Sequence, residues 1–374
     1  RIFILKNIKK NLQNTFKNFF YLIFKILHGK IKGKVLFKEE SRIVCSVIQK
    51  EEKFKYKVFR IKEGRLYTDR IHDMAIILDN NVVEGPSYQL RPVNNANIQE
   101  NIVFKKGTPR RIKKLKGKVL SLLTGGAGND NYFHWMFDVL PRIGIINEGL
   151  NISEIDYFLL PSIDKKFQKE TLDLLKIPEK KRLSSKNFRH ISAPEIIVAD
   201  HPYCFKNDAS NEIQNIPFWI SKWLKNNFLH KNNESESKGK KIYIDRSDSS
   251  SNVKNLRSIL NEEDVKDFLK KEGFEFVTLG DLNFTQQVRV INDAEMIIGL
   301  HGAGFANLCF CKPKTKIVEL RSRSAGKMYE NLAKSNSLIY ESINCKPEKF
   351  DKQNQFGHIK IKIDELKNTI KKIN

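Results

Sequence analysis

Apolar and polar positions along the chain fall into two alternating series divided by one polar stretch. Residues 35–105 carry short β-type runs: "KVLF", "RIVCSVI", "YKVFRI", "AIILDNNVV" and "NIVF". From "GKVLSLLTGG" (117–126) the pattern changes to a strand, a glycine turn and a helix carrying "YFHWMFDVLPRIGIINEGL". "DYFLLP" (156–161) reads as a strand, "KKFQKETLDLLKI" (165–177) as a helix closed by Pro178, and "EIIVAD" (195–200) as a further strand. Alternating strand and helix predicts a parallel sheet with crossover helices. "HKNNESESKGKK" (230–241) is nearly free of apolar residues and is the best linker candidate.

A second series follows the linker: "KIYIDR" strand, "NEEDVKDFLKKEG" helix, "FEFVTL" strand, "FTQQVRVINDA" helix, "EMIIGL" strand, "GFANLCF" helix, "KIVELR" strand, "KMYENLAKSN" helix and "LIYESI" strand. That is a complete doubly wound unit, and "FGHIKIKIDELKNTIKKIN" (356–374) closes the chain with a helix. The expected organisation is an α/β protein with an N-terminal helix (1–34), an N-terminal α/β domain (35–229), a linker (230–241), a C-terminal Rossmann-like domain (242–345) and a closing helix (346–374). Two Rossmann-like halves predict a ligand in the cleft between them, at the carboxyl ends of strands.

The first thirty residues follow a different pattern. Read as a helix, they place Leu5, Ile8, Leu12, Phe16, Phe19, Phe20, Ile23 and Leu27 on one face, with Lys6, Lys9, Lys10, Lys17 and Lys30 off that stripe or beyond it. Such a basic amphipathic helix either docks on its own domain or lies on an anionic membrane surface. "NFFYLIFKIL" (18–27) is interrupted by Lys25 and is too short to span a bilayer. No small-residue cleavage site of a signal peptide follows it.

Composition narrows the classes. The 374 residues are 40% hydrophobic and 10% aromatic, enough for packed cores and two domains. Against 67 Lys and Arg stand 43 Asp and Glu, a net charge of +24. The Lys residues are spread along the chain, and no nucleic-acid-binding signature accompanies them, so composition and a membrane-facing patch explain the charge better than nucleic acid. Five cysteines (Cys45, Cys204, Cys309, Cys311, Cys345) contain no C-x-x-C pair. Neither a zinc site nor a disulfide scaffold is indicated, and a reducing, cytoplasmic compartment is expected, with peripheral attachment to the inner membrane face through residues 1–30 as an option. Cys309 and Cys311 read as buried core thiols.

The strongest chemical signal is "EMIIGLHGAGFANLCF" (295–310). A strand running into His301, Gly302, Ala303 and Gly304 and then into a helix presents backbone N–H groups and the positive end of a helix dipole, suited to a phosphate or diphosphate. His301 and Asn307 can add hydrogen bonds, and the glycines permit close approach. No G-K-[ST] follows, so this is no Walker loop. It is nearly a dinucleotide fingerprint, and Glu319, ending the next strand, stands where an acid binds ribose hydroxyls. The turn comes late in its domain, which fits a nucleotide-sugar better than the cofactor of an NAD(P)-dependent oxidoreductase.

"GNDNYFHWMFDVLPR" (128–142) is the second constellation. His134 and Asp138 share a helix face, and such a couple can take a proton from a hydroxyl; a structural pair bracing Trp135 is the alternative. Asn131 or Asp130 can cap the helix, and Pro141 kinks or ends it. Asn131, Tyr132 and Arg142 are candidate lining residues, as is Arg289, which faces either solvent or the site. Arg246, at the end of "KIYIDR", can pair with a diphosphate. No D-x-D occurs, so leaving-group stabilisation without a metal is expected, with no resident cofactor.

"NYFHWMFDVLPR", "YIDR", "NEEDVKDFLKKEGFEFV", "FTQQVRVINDAEMIIGLHGAGFAN" and "IVELR" together resemble glycosyltransferase family 61, whose bacterial members are often labelled capsular polysaccharide biosynthesis proteins. The resemblance runs from about residue 60 to 345 and is most specific over 261–320. It implies a GT-B fold, with the donor held mainly by the C-terminal domain and the acceptor by the N-terminal one. It also implies inverting transfer from a nucleoside diphosphate sugar, usually a UDP-sugar, to a glycan acceptor without obligatory metal. Under it, 301–304 and Asn307 match the donor diphosphate region, Glu319 the ribose or uracil position, Arg246 the phosphates, and "NYFHWMFD" the reaction centre, where Asp138, or His134 oriented by Asp138, acts as base. Phe305 replaces the usual leucine or isoleucine, and the loop "SDSSSNVKN" is unusually Ser-rich. A non-catalytic polysaccharide-assembly or binding protein of the same fold is the competing class.

Overall fold

The computed structural model describes residues 2–89, 97–123, 130–206, 208–229, 239–247, 256–348 and 357–374. Its chain forms two compact units. The first comprises Arg1–Asp130, Asp138–Ile163 and Pro178–Ala209; the second comprises Asn131–Phe137, Asp164–Ile177 and Ser210–Asn374. The units therefore do not follow a single boundary near 230. Two short segments of the N-terminal half, and residues 210–229, group with the C-terminal half, and most of the expected linker lies outside the described residues.

The first unit opens with helix α1 (Ile2–His28). Its first sheet joins β1 (Gly33–Leu36), β4 (Arg65–Thr68), β5 (Asp73–Leu78), β6 (Asn81–Glu84), β7 (Tyr88–Gln89), β8 (Lys113–Lys114) and β12 (His190–Ser192). They run in the order β1-β6-β5-β4-β12-β8, with β7 on β5. Its second sheet joins β2 (Ile43–Lys50), β3 (Phe54–Lys62), β9 (Lys118–Ser121), β10 (Tyr157–Leu160), β11 (Arg182–Ser184) and β13 (Glu195–Ala199), ordered β11-β10-β9-β13-β3-β2. The four strands β11-β10-β9-β13 are parallel, and the β2–β3 hairpin adds to them antiparallel. The two sheets share one core that includes Phe59, Leu66, Ile76, Val119, Leu159 and Ile196.

The second unit holds one sheet of five parallel strands: β14 (Lys240–Asp245), β15 (Glu275–Thr278), β16 (Ala294–Leu300), β17 (Lys316–Ser322) and β18 (Ile339–Cys345). Their order is β15-β14-β16-β17-β18, so the chain reverses its direction of progress between β14 and β16. That is the topological switch point of a doubly wound sheet. The inner strands are apolar on both faces, as parallel strands covered by helices must be. The crossover helices Glu262–Lys271 and Phe284–Asp293 carry clear start signals. The first has three acids in its first turn and two lysines in its last, matching the dipole, and Asn283 and Gln286 form a capping box on the second. The closing helix Ile363–Ile373 buries Leu366, Ile370 and Ile373 in the same core as Val318, Leu320 and Ile343, so it belongs to this unit rather than trailing from it. Among the described residues no helix is long and apolar enough to cross a membrane.

Candidate active site

The carboxyl ends of β14 and β16 lie side by side. Ile244 pairs with Gly299 in register, so the residues that follow, Arg246 and His301, emerge at the switch point. The His301 N–H donates to the Leu320 carbonyl at 2.8 Å and carries the ladder one residue further. Gly302 is extended, with φ 168° and ψ 178°, and opens a 3-10 helix over Ala303–Phe310. The helix expected there is thus of the tighter kind, closed by Phe305 N–H donating to the Gly302 carbonyl at 3.0 Å. It is buried almost all round: Phe305, Ala306, Asn307, Leu308, Cys309 and Phe310 are all enclosed. Burial pushes the Cys311 thiol up to about 12 and that of Cys309 higher still, as inert core thiols require.

Gly302 is there for space and not for an unusual backbone angle. A Cβ on it would lie 3.3 Å from Arg246 Cζ. With that space free, Arg246 folds over the turn and its Nη1 donates to the His301 carbonyl at 3.2 Å. A second guanidinium, Arg257, is an electrostatic neighbour of Arg246, Glu319 and Tyr329. Burial, and then the like charge of Arg246, lower the Arg257 pKa to about 10, which leaves it cationic at neutral pH.

Behind the turn sits a closed polar network. Glu319 is fully buried, one carboxylate oxygen meeting His301 Nδ1 and the other accepting from the Tyr340 hydroxyl, with Arg321 Nη1 at 3.6 Å. This corrects the expectation that Glu319 meets ribose hydroxyls: a carboxylate enclosed by three side chains acts through them, fixing the His301 ring. His301 is itself buried, and its ring packs 5.0 Å from that of Tyr329. Burial and the charge of Glu319 raise the pKa of both Tyr329 and Tyr340.

Residues 131–137 join the same unit. Asn131 is the cap, its side chain accepting from the N–H of Phe133 at 2.9 Å. The Tyr132 hydroxyl donates to Asn307 Oδ1 at 2.6 Å, and Asn307 Nδ2 donates to the Gly304 carbonyl at 3.3 Å, which fastens the segment to the turn. Trp135 is fully buried and its indole N–H donates to Thr171 Oγ1 at 2.9 Å. His134 is half-buried. A π-turn spans Trp135–Val139, a feature frequent at functional sites.

His134 and Asp138, the expected couple, stand on either side of the division between the two units. Asp138 belongs to the first unit, has no exposed surface, and has His201 Nε2 3.6 Å from its Oδ2. His201 Nδ1 accepts from the backbone N–H groups of Tyr203 at 3.3 Å and Cys204 at 3.0 Å, so the ring proton sits on Nε2, facing the carboxylate. Arg142 is also corrected as a lining residue: it is fully buried in the first unit and donates to the Leu123 carbonyl at 2.5 Å. Arg289 faces solvent, 57% exposed, beside Asp293 on its own helix. Pro141 is the first residue of the helix Pro141–Ile146, as a proline at N1 should be.

Sequence reasoning brought Arg246, the 301–304 turn, Asn307, Tyr132 and Glu319 to one place. It missed Arg257, Arg321, Tyr329 and Tyr340, and, in the first unit, His201. Arg321 was within reach, since it stands two residues beyond Glu319 on one strand and so shares its face. The others are brought in by tertiary packing and carry no local pattern. Among the described residues no group of three or more His, Cys, Asp or Glu side chains is placed to hold a metal ion.

No curated protein sequence matches the chain. The family model described as Glycosyltransferase 61 matches residues 132–318, which span the capped segment after Asn131, the switch point and the turn. That match covers half of the 374 residues, and its function class is sugar transfer from an activated donor to a glycan acceptor. The chain belongs to the glycosyltransferase 61 family.

Proposed function

We propose that this glycosyltransferase moves a sugar from a UDP-linked donor to a hydroxyl of a surface or capsular polysaccharide in a single inverting displacement. The observation that carries the reading is Arg246 folded over the 301–304 turn at the switch point, its Nη1 on the His301 carbonyl, with Arg257 as a like-charged electrostatic neighbour. Two like-charged guanidiniums at the carboxyl end of a parallel sheet favour an anionic ligand, and a diphosphate is such a ligand. In the GT-B pattern the second unit takes the donor and the first the acceptor. The doubly wound order of the second unit supports its half of that assignment.

The acceptor oxygen forms a bond to the anomeric carbon while the bond from that carbon to the β-phosphate oxygen breaks. The electron pair leaves with the nucleoside diphosphate, whose charge Arg246, Arg257 and the 301–304 turn stabilise without need of a divalent ion. Loss of one such donor typically costs about 10²–10³ in turnover. His134 takes the acceptor proton, because it is the partly exposed member of the two candidates and sits in the unit that carries the turn, whereas Asp138 is fully enclosed. A nicotinamide cofactor is disfavoured, since the turn comes late in its unit, after the third strand in chain order. Attachment of α1 to the cytoplasmic face of a membrane brings the enzyme to a lipid-anchored acceptor.

The test is a transfer assay with UDP-sugars, reading the anomeric configuration of the product by NMR. His134→Asn is expected to lower turnover about 10²–10⁴-fold with UDP affinity unchanged. A His134→Asn enzyme with wild-type turnover, or a product that retains configuration, would overturn the mechanism.

A further inference from the structure

Helix α1 exposes its apolar face. Leu12, Phe16, Phe19, Leu22, Ile26 and Leu27 are 56–76% exposed. At 100° per residue they span an arc of about 140°. The opposite side does the docking: His28, stacked on Phe24 of its own helix at 5.5 Å, meets the His190 ring edge-on at 5.1 Å, and its Nε2 donates to the Arg110 carbonyl at 3.1 Å. The end of α1 is therefore pinned to the first unit with its apolar stripe turned away from that contact.

Beside the pinned end lies a pocket of about 750 Å³ lined by Leu27, His28, Arg111, Ile112, Lys113 and Lys114. Its cations are held on ordered backbone. Strand β8 pairs with β12, the Leu115 N–H donates to the Ser192 carbonyl at 2.8 Å, and the Lys113 ammonium sits 4.3 Å from the centre of the Phe188 ring. Nothing acidic stands nearby in sequence: residues 1–38 contain no Asp or Glu, and residues 101–129 contain eight Lys or Arg and no acid. An apolar stripe and a basic pocket meeting at Leu27 match a lipid in its two parts, acyl chain and anionic headgroup.

We infer that Arg111, Lys113 and Lys114, with the end of α1, form a binding site for the headgroup of an anionic phospholipid. The inference rests on the reading of α1 as a membrane-surface helix and adds a specific headgroup contact to it. A uniformly basic surface would prefer anionic membranes wherever its charges lay; this site makes three residues carry most of that preference.

The experiment is co-sedimentation of the full chain with phosphatidylcholine vesicles, with and without about one third phosphatidylglycerol. Four proteins are compared: wild type, the pocket variant Arg111→Gln/Lys113→Gln/Lys114→Gln, a control that removes three exposed charges of the same unit (Lys53→Gln/Lys55→Gln/Lys62→Gln), and the stripe variant Phe16→Ser/Phe19→Ser. Circular dichroism melting establishes that each is folded. At about fivefold per basic residue near the surface, the pocket variant is expected to lose roughly a hundredfold in binding to anionic vesicles, and the control far less. The stripe variant loses binding to both vesicle types. Equal losses in pocket and control variants, or no loss in the pocket variant, overturn the headgroup site while leaving the membrane helix standing. Wild type bound to neither vesicle overturns both. Displacement by soluble glycerophosphate would reassign the pocket to a free phosphate ester.

Discussion

Gly302→Ala separates the geometry of the donor site from the stability of the fold. The backbone there is extended, at φ 168° and ψ 178°, so alanine introduces no strain. Its new methyl group lies 3.3 Å from Arg246 Cζ and 3.4 Å from Nη1, tighter than ordinary contact. The atoms it meets are the far end of a flexible side chain, so the guanidinium retreats by a few tenths of an ångström and the core stays put. Stability should change by less than about 0.5 kcal/mol. Donor binding should change more, because a displaced guanidinium gives up a hydrogen bond to a charged partner, about 1.5–3 kcal/mol. That converts to a Kd for UDP raised roughly ten- to a hundredfold. Gly304→Ala is the companion: its methyl group meets Leu279 Cδ1 at 3.2 Å and Ile244 Cγ2 at 3.5 Å, both apolar, so it should lower Tm with the smaller effect on affinity. Calorimetric titration of UDP and thermal unfolding of both variants give the two readouts. A Gly302→Ala protein with wild-type Kd and wild-type Tm would refute the claim that this glycine exists to seat Arg246.

Three further outcomes follow from the same structure. Glu319→Gln leaves Arg321 without its buried counter-charge and releases His301, and should destabilise the protein by about 3–5 kcal/mol in urea unfolding; a loss under about 1 kcal/mol would mean that the network is not coupled. Burial lowers the pKa of His190 from 6.5 to about 3, so the unfolded chain takes up that proton first. Stability is intact above pH 6.5 and falls as pH drops toward 3, by about 2 kcal/mol at pH 5 from this residue, with His28, also lowered by burial, adding to it. His190→Gln should flatten that slope in pH-dependent melting. Cys309 and Cys311 should resist a thiol reagent in the native protein and react only on unfolding; rapid labelling of either would contradict their enclosure.

Much of this was legible in the chain, for identifiable reasons. The second unit follows local rules: a capping box on Phe284–Asp293, dipole-matched charges on Glu262–Lys271, apolar strands and a glycine turn, which placed the strands of β14–β18 and the 301–304 turn correctly. The first unit was harder, because its parallel and antiparallel strands belong to two sheets whose pairings join residues over a hundred positions apart, as Ile43 joins Ile61 but Ile61 also joins Ile196. Pairing at that range leaves no periodicity to read. The site divides the same way. Arg246 and Asn307 were found because they stand at the ends of readable elements. Arg257 and Tyr340 were not, since burial and through-space charge bring them in. Asp138 was linked to the nearest histidine in sequence, His134, and His201, sixty-three residues on, stands beside it as well, which no spacing announces. Spacing identifies which residues can share a face, and packing decides which of them meet.

The central claim is that Arg246 and Arg257 hold a nucleoside diphosphate at the switch point of the second unit. Its most direct test is titration calorimetry of UDP into wild type, Arg246→Met and Arg257→Met, each with excess EDTA. Binding to wild type is expected to be unchanged by EDTA and to be weakened by either substitution at least tenfold, about 1.4 kcal/mol. UDP bound equally by all three proteins, or by wild type only when a divalent ion is present, would contradict it.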